Sequence, residues 1–254
     1  MKDSVIQSAI DQWLIERNEA IKVTRANRED QTPHLWPSDM RSCKRKIALR
    51  LRGEKSTVDF EARSLNYMRS GEVMEDETGL ALISHYGEPN VDLQHALKWG
   101  VWSGKPDFIL YHKHKTEQPI IVEHKATGEK SFWNESLPRW GHVGQLALYN
   151  YLYQKLYKVE PRLILYYRGW GRYAELELDI GEKNVTIHGY IDGVADLQVM
   201  EYNVKAEIDE LEKMYQNVTT DENHPLPDKL RYKKDGCTFF GRPSCPMYYH
   251  CYAK

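Results

Sequence analysis

Gly104-Lys105-Pro106-Asp107 and Ile120-Ile121-Val122-Glu123-His124-Lys125 are the two stretches on which the fold turns. Each belongs to a short, β-rich run bounded by Gly or Pro, so each reads as a strand. Side chains alternate along a strand, which puts Glu123 and Lys125 on one face. If the two strands pair, Asp107 reaches the same end. Three charged groups at the end of apolar strands make a poor core and a good site for a hard cation. Asp107 and Glu123 would offer oxygen ligands to Mg²⁺ or Mn²⁺, the main-chain carbonyl of His124 another, and Lys125 would stand beside a metal-bound water. Such a set suits phosphodiester hydrolysis, in which a metal lowers the pKa of its water and balances charge on the phosphate. The plain alternative is a surface hairpin with solvated Glu–Lys pairs. The coupling of Glu123 to an acid sixteen residues upstream favours the site.

Outward from these strands the chain alternates helix and strand patterns. Apolar residues at Val5, Ile6, Ile10, Trp13 and Leu14 have helical spacing over Ser4 to Ala20. Ser38 is placed to cap a basic helix over Asp39 to Leu51 that carries Cys43, and Phe60 to Tyr86 reads as another helix. The six bases from Arg41 to Arg52 suit phosphates or a solvated face equally well. Val91 to Trp99, Trp102 to Tyr111 and Pro119 to Glu123 read as strands. Arg139 to Tyr157 reads as a strong helix, followed by strands over Arg162 to Tyr167 and Tyr173 to Ile180. Val194 to Asn217 reads as an amphipathic helix, and the rest as a basic loop. Trp133 and Trp140 are candidates for stacking on unpaired bases or for covering the core, and His142 for facing a substrate or filling a structural position.

The 254 residues imply one core with an elaboration, large enough to need no disulfide or metal for a core alone. Hydrophobic residues at 41% and charged residues at 28% exclude collagen-like, low-complexity and wholly disordered chains. No apolar run approaches the ~20 residues of a membrane helix. The N-terminus lacks a signal-peptide pattern, so the expected location is cytoplasmic, with no membrane partner. A net charge of −2 gives no global nucleic-acid signal, so any such partner needs a local patch. Of four cysteines, Cys43 stands alone, while Cys237, Cys245 and Cys251 crowd a Gly- and Pro-rich tail. That crowding favours a shared metal or cluster over unrelated buried thiols.

Pro106-Asp107 with Glu123-His124-Lys125 resembles the name motif of the PD-(D/E)XK nucleases, specifically their RecB-like exonuclease branch. Gln145-Leu-Ala-Leu-Tyr149, on the helix after the lysine, is similar to that branch's Gln-x-x-x-Tyr motif. The resemblance implies that Gln145 and Tyr149 support the site and contact DNA. The branch also carries Gly-x-x-x-His, whose histidine binds the metal. Here the stretch reads Gly71-Glu-Val-Met-Glu75, which resembles the phage lambda exonuclease type and implies Glu75 as a further metal ligand, with Glu72 and Glu77 as rivals.

One cysteine before the core and three after it is similar to CRISPR-associated RecB-like exonucleases and the AddB nuclease domain. That resemblance implies a [4Fe–4S] cluster on Cys43, Cys237, Cys245 and Cys251. The gap from Cys237 to Cys245 is longer than the usual Cys-x₂-Cys, which keeps a structural Zn²⁺ site open, with His250 as a substitute ligand. The fold implied is α/β: a restriction-endonuclease-like core with a central mixed sheet flanked by helices, its terminal segments joined by a metal cluster. The whole chain would be one nuclease domain, with N-terminal helices at 1–60, the core at 61–220 and the cysteine tail at 221–254. The activity implied is a metal-dependent DNA exonuclease acting on single-stranded or free ends, in recombination, repair, replication or phage DNA processing. A structure-specific endonuclease, a CRISPR spacer-processing nuclease and a non-catalytic nucleic-acid-binding protein with structural zinc are the alternatives.

Overall fold

The computed structural model describes residues 5–26, 33–56, 58–111, 118–127, 137–191, 194–228, 238–239, 242–243 and 245–252. The architecture is α/β: a mixed central sheet with helices on both faces. Helix α1 (Val5–Ala26) leads to a short 3₁₀ turn (Pro37–Asp39), α2 (Lys44–Leu51) and α3 (Ala62–Tyr86). Strands β1 (Val91–Leu93), β2 (Leu97–Trp99), β3 (Trp102–Gly104), β4 (Phe108–Leu110) and β5 (Ile120–Ala126) follow. Then come α4 (Trp140–Tyr157), β6 (Arg162–Gly169), β7 (Arg172–Ile180), β8 (Asn184–Ile191), β9 (Val194–Glu201) and α5 (Val204–Thr220). The tail carries a two-residue pair, β10 (Thr238–Phe239) and β11 (Arg242–Pro243), and α6 (Tyr248–Tyr252).

The seven-stranded sheet runs β1-β4-β5-β6-β7-β8-β9. Only β5 and β6 are parallel, because α4 carries the chain back between them; every other neighbour is antiparallel. Strand β5 is buried from Ile120 to His124, as expected of a central strand covered on both faces. Alternation divides it. Ile120 and Val122 join Val91, Phe108 and Leu110 beneath Leu82, Ile83 and Tyr86 of α3. Ile121 faces the larger core, where α4 contributes Val143, Leu146, Leu148 and Leu152 and α5 contributes Ile208 and Leu211. Among the described residues, no helix is long and apolar enough to cross a membrane.

Four sequence expectations need correction. The helix expected over Val194 to Asn217 is strand β9 followed by α5. The first eight residues pair in register along β8, and Asn203 caps α5 by accepting from the Ala206 amide at 2.8 Å. Strand β8 itself had no sequence counterpart. The helix expected over Asp39 to Leu51 breaks at Arg41, whose φ of 58° is left-handed, so Cys43 is the N-cap of α2 rather than an interior residue. The two long strands Val91–Trp99 and Trp102–Tyr111 each split in two. Their inner halves pair separately as a β2–β3 hairpin, which leaves Lys105 to Asp107 between strands. Pro106, with no N–H for a ladder, lies in that break.

Candidate active site

The break places Asp107 immediately before β4, with the parity of Ile109, on the face that carries α4. Two contacts hold it. Tyr149 of α4 donates its hydroxyl to the Lys105 carbonyl at 2.7 Å, and the His124 amide donates to Asp107 Oδ2 at 2.7 Å. Strand β4 pairs with β5 only as far as Val122, so past that point the β4 side of β5 is open. Within a strand, a residue's N–H and C=O point to the same side. By that rule the His124 carbonyl shares the side of its N–H, which faces Asp107.

Glu123 and Lys125 form an ion pair through Glu123 Oε1. The Gln145 amide donates to that oxygen at 2.6 Å, while Glu123 Oε2 is buried with no hydrogen-bond partner among the described residues. Glu75 approaches from the opposite side on α3, past Gly71, which lies against Ala126 at the end of β5. Gln94 joins Glu75 to Asp107: its side-chain amide donates to Glu75 Oε1 at 2.7 Å and to Asp107 Oδ1 at 3.3 Å, and its backbone N–H to the Asp107 carbonyl at 3.1 Å. Sequence reasoning missed Gln94. Its only signal was a polar residue interrupting the β pattern, here at a φ of 53°.

The charges are strongly coupled. Burial, then the neighbouring Glu123, pushes the Asp107 carboxyl up to about 7. Burial, then Asp107, raises Glu75; burial likewise raises Glu123 against the pull of Lys125. Burial works to lower Lys125, but Glu123, Asp107 and Glu75 together hold it above the ordinary lysine value. The rival glutamates are occupied elsewhere: Glu72 pairs with Arg17 and Arg69, and Glu77 with Arg168. His142, one turn before Gln145, shares a 2.8 Å hydrogen bond with the hydroxyl of buried Tyr167. Trp140 lies under the Arg41 guanidinium, 4.9 Å from the ring centre; Trp133 falls outside the described residues.

Cys43, Cys245 and Cys251 are free and half-buried, while Cys237 lies outside the described residues. Burial first, and the Cys43 and Cys251 thiols last, raise the Cys245 thiol, so Cys245 of the C-terminal segment lies near both Cys43 and Cys251. His250 is engaged with the Lys55 carbonyl at 3.0 Å and with Glu54. The basic segment is committed to main chain more than to solvent. Arg45 donates to the Pro227 carbonyl at 2.9 Å, Arg52 to that of His224, and Arg50 to that of His34 at 2.8 Å. As the side chains stand, no three His, Cys, Asp or Glu among the described residues converge tightly enough to hold a metal ion. In comparisons with known proteins, no family model and no curated protein matches this chain.

Proposed function

We propose that the chain is a metal-dependent deoxyribonuclease of the PD-(D/E)XK type, acting as an exonuclease on DNA ends. One observation carries this reading. Glu75, Asp107, Glu123 and Lys125 come from α3, the β3–β4 break and β5, and are linked through Gln94 and the His124 amide at the end of β5 that lies past its pairing with β4, with Gln145 bonded to Glu123. The run α3-β1-β4-β5-α4-β6 also supports it, since it sets three antiparallel strands between two helices and returns parallel.

The donor set fits a hard divalent cation. Three carboxylates share one lysine, and a buried Glu123 oxygen has no hydrogen-bond partner among the described residues. Glu75, Asp107, Glu123 and the His124 carbonyl would hold Mg²⁺ or Mn²⁺, which when bound supplies an acidified water and neutralises charge on the phosphate. Lys125, held above its ordinary pKa, keeps its proton and presents a cation to the phosphate oxygens. Gln145 holds the Glu123 carboxylate by donating to its Oε1. Tyr149 holds the Lys105–Asp107 segment and hence the direction of the Asp107 side chain.

The order of the cysteines in the sequence supports a [4Fe–4S] cluster on Cys43, Cys237, Cys245 and Cys251, which would join the terminal segments alongside the arginine–carbonyl bonds already there. The test is a digest of end-labelled DNA by anaerobically purified protein with Mg²⁺ or Mn²⁺. Release of mononucleotides or short oligonucleotides from the ends is expected. Intact label with both metals would remove the proposal.

A further inference from the structure

The turn between β6 and β7 lies at the catalytic end of the sheet and carries a side chain that the site as described does not use. Strand β6 runs parallel to β5, with Tyr167 opposite Lys125 and Arg168 opposite Ala126. The ladder to β7 closes at Gly169–Arg172, leaving Trp170-Gly171 as a two-residue turn in which Gly171 supplies the left-handed φ of 73°. Trp170 is three residues beyond the partner of Lys125, roughly 10 Å past it at ~3.3 Å per residue. That span matches about three nucleotides at the 3.4 Å stacked spacing. The indole is 73% exposed, more than any other large apolar side chain among the described residues.

Its base is held firmly. The Arg168 guanidinium donates to the Met74 carbonyl at 3.2 Å and to Thr78 Oγ1 at 3.1 Å, and pairs with Glu77 at 2.8 Å. This fixes the turn against α3, the helix that also delivers Glu75. Between turn and helix lies a groove of about 280 Å³, walled by Val73 and Met74, floored by Gly169 to Gly171, and lined by Arg69, Ser70 and the Arg168–Glu77 pair. An indole, the aliphatic side chains of Val73 and Met74 and two arginines in the lining suit a flat ring with polar edges. A base inside a duplex is stacked on both faces and cannot offer one to an indole; an unpaired base can.

We infer that Trp170 is a stacking platform for an unpaired nucleobase, so that the strand entering the active site is single-stranded DNA, held about three nucleotides from the reacting phosphate. This rests on the nuclease reading and deepens it by naming the substrate strand. Base–aromatic stacking of this kind corresponds to a change in affinity of about 5- to 150-fold.

The experiment compares full-length wild type, Trp170→Ala and Trp170→Phe. Fluorescence anisotropy in chelator measures binding to a labelled oligo-dT and to a blunt duplex of the same length. Wild type and Lys125→Ala are assayed for cleavage of both DNAs with Mg²⁺ and Mn²⁺. Trp170→Ala should weaken oligo-dT binding about 5- to 150-fold, with a smaller loss on the duplex, and Trp170→Phe should restore most of the affinity. Unchanged oligo-dT binding in Trp170→Ala, equal loss on both DNAs, or no rescue by phenylalanine overturns the inference. If cleavage occurs and is lost in Lys125→Ala while Trp170→Ala binds like wild type, this inference alone fails. If nothing is cleaved but oligo-dT binding depends on Trp170, the catalytic reading fails and the platform stands.

Discussion

Gly104→Ala tests whether the close approach that aims Asp107 is real. A Cβ at Gly104 would lie 2.4 Å from Pro37 Cγ, 2.6 Å from its Cδ and 3.0 Å from Tyr149 Cε1. Pro37 is a closed ring, buried at the start of its 3₁₀ turn, and Tyr149 is tethered through its hydroxyl to Lys105. Neither can swing aside, so the β3 backbone must move. Overpacking of this kind costs ~1–3 kcal/mol. For a chain of this size the melting midpoint should fall by roughly 2–12 °C, at ~2–4 °C per kcal/mol. Gly141→Ala is the control: it sits in the first turn of α4 with, among the described residues, no atom beyond its own helix and chain neighbours within 4 Å of the added carbon. Replacing that helical glycine should raise stability by up to ~1 kcal/mol. Scanning calorimetry on both variants reads the opposite signs. Cleavage assayed well below either midpoint should be impaired in Gly104→Ala beyond what stability explains, because the displaced segment carries Asp107. A Gly104→Ala protein that melts at or above wild type and cuts normally would refute the packing argument.

Asp107→Ala, Glu123→Ala and Lys125→Ala should each abolish cleavage in the end-label digest while leaving oligo-dT binding largely in place; wild-type cutting by both the Glu123 and Lys125 variants would show the site to be misassigned. Anaerobic protein should be brown, with iron and acid-labile sulfide in comparable amounts. Cys43→Ser should lose both together with thermal stability about as severely as Cys251→Ser, whereas stoichiometric zinc without sulfide would favour the zinc alternative. His142 gives a pH signature. Burial first, then the charges of Lys125 and Arg139, depresses its pKa to about 3, below the ordinary histidine value, so the unfolded chain takes up a proton near pH 6.5 that the folded protein refuses. Stability from this group is present above pH 6.5 and is lost as pH falls toward about 3. The slope of melting midpoint against pH in that window should flatten in His142→Gln, and an unchanged slope would exclude His142 as its source.

Much of the site was legible because it depends on period-two alternation. Glu123 and Lys125 must share a face wherever β5 packs, and the α4 helix needed only its apolar spacing to bring Gln145 beneath them. The segment carrying Asp107 was located correctly but misread as continuous strand. Its break is made by tertiary contacts, Gly104 on Pro37 and Tyr149 on Lys105, which leave no local pattern. Gln94 was invisible for the same reason, since its role exists only once β1 and the Asp107 segment are side by side. The β9 error has a different origin. Val194-Ala-Asp-Leu-Gln-Val-Met-Glu alternates only loosely and runs into a strongly amphipathic helix, so the helical period was extended backward across the Asn203 cap.

The three glutamates of α3 show where sequence alone stops. Glu72, Glu75 and Glu77 stand within two turns of one helix, and helical spacing cannot rank them. Their partners can. Glu72 is neutralised by two arginines and Glu77 by Arg168, so each lies in a locally balanced environment. Glu75 is met by the neutral Gln94 amide, and among the described residues its nearest influences include the acid Asp107 alongside Lys125. With Asp107 and Glu123 it leaves three carboxylates against one ammonium at the end of the central strand β5. Mutual repulsion at low dielectric makes that imbalance costly for the protein by itself and favourable for any bound divalent cation. A structural carboxylate is recognised by the cation that answers it. Among the described residues Glu72 and Glu77 each have a guanidinium at ion-pair distance. Glu75 has the neutral Gln94 amide there and shares the more distant Lys125 with two other acids, which is what favours it as the proposed ligand.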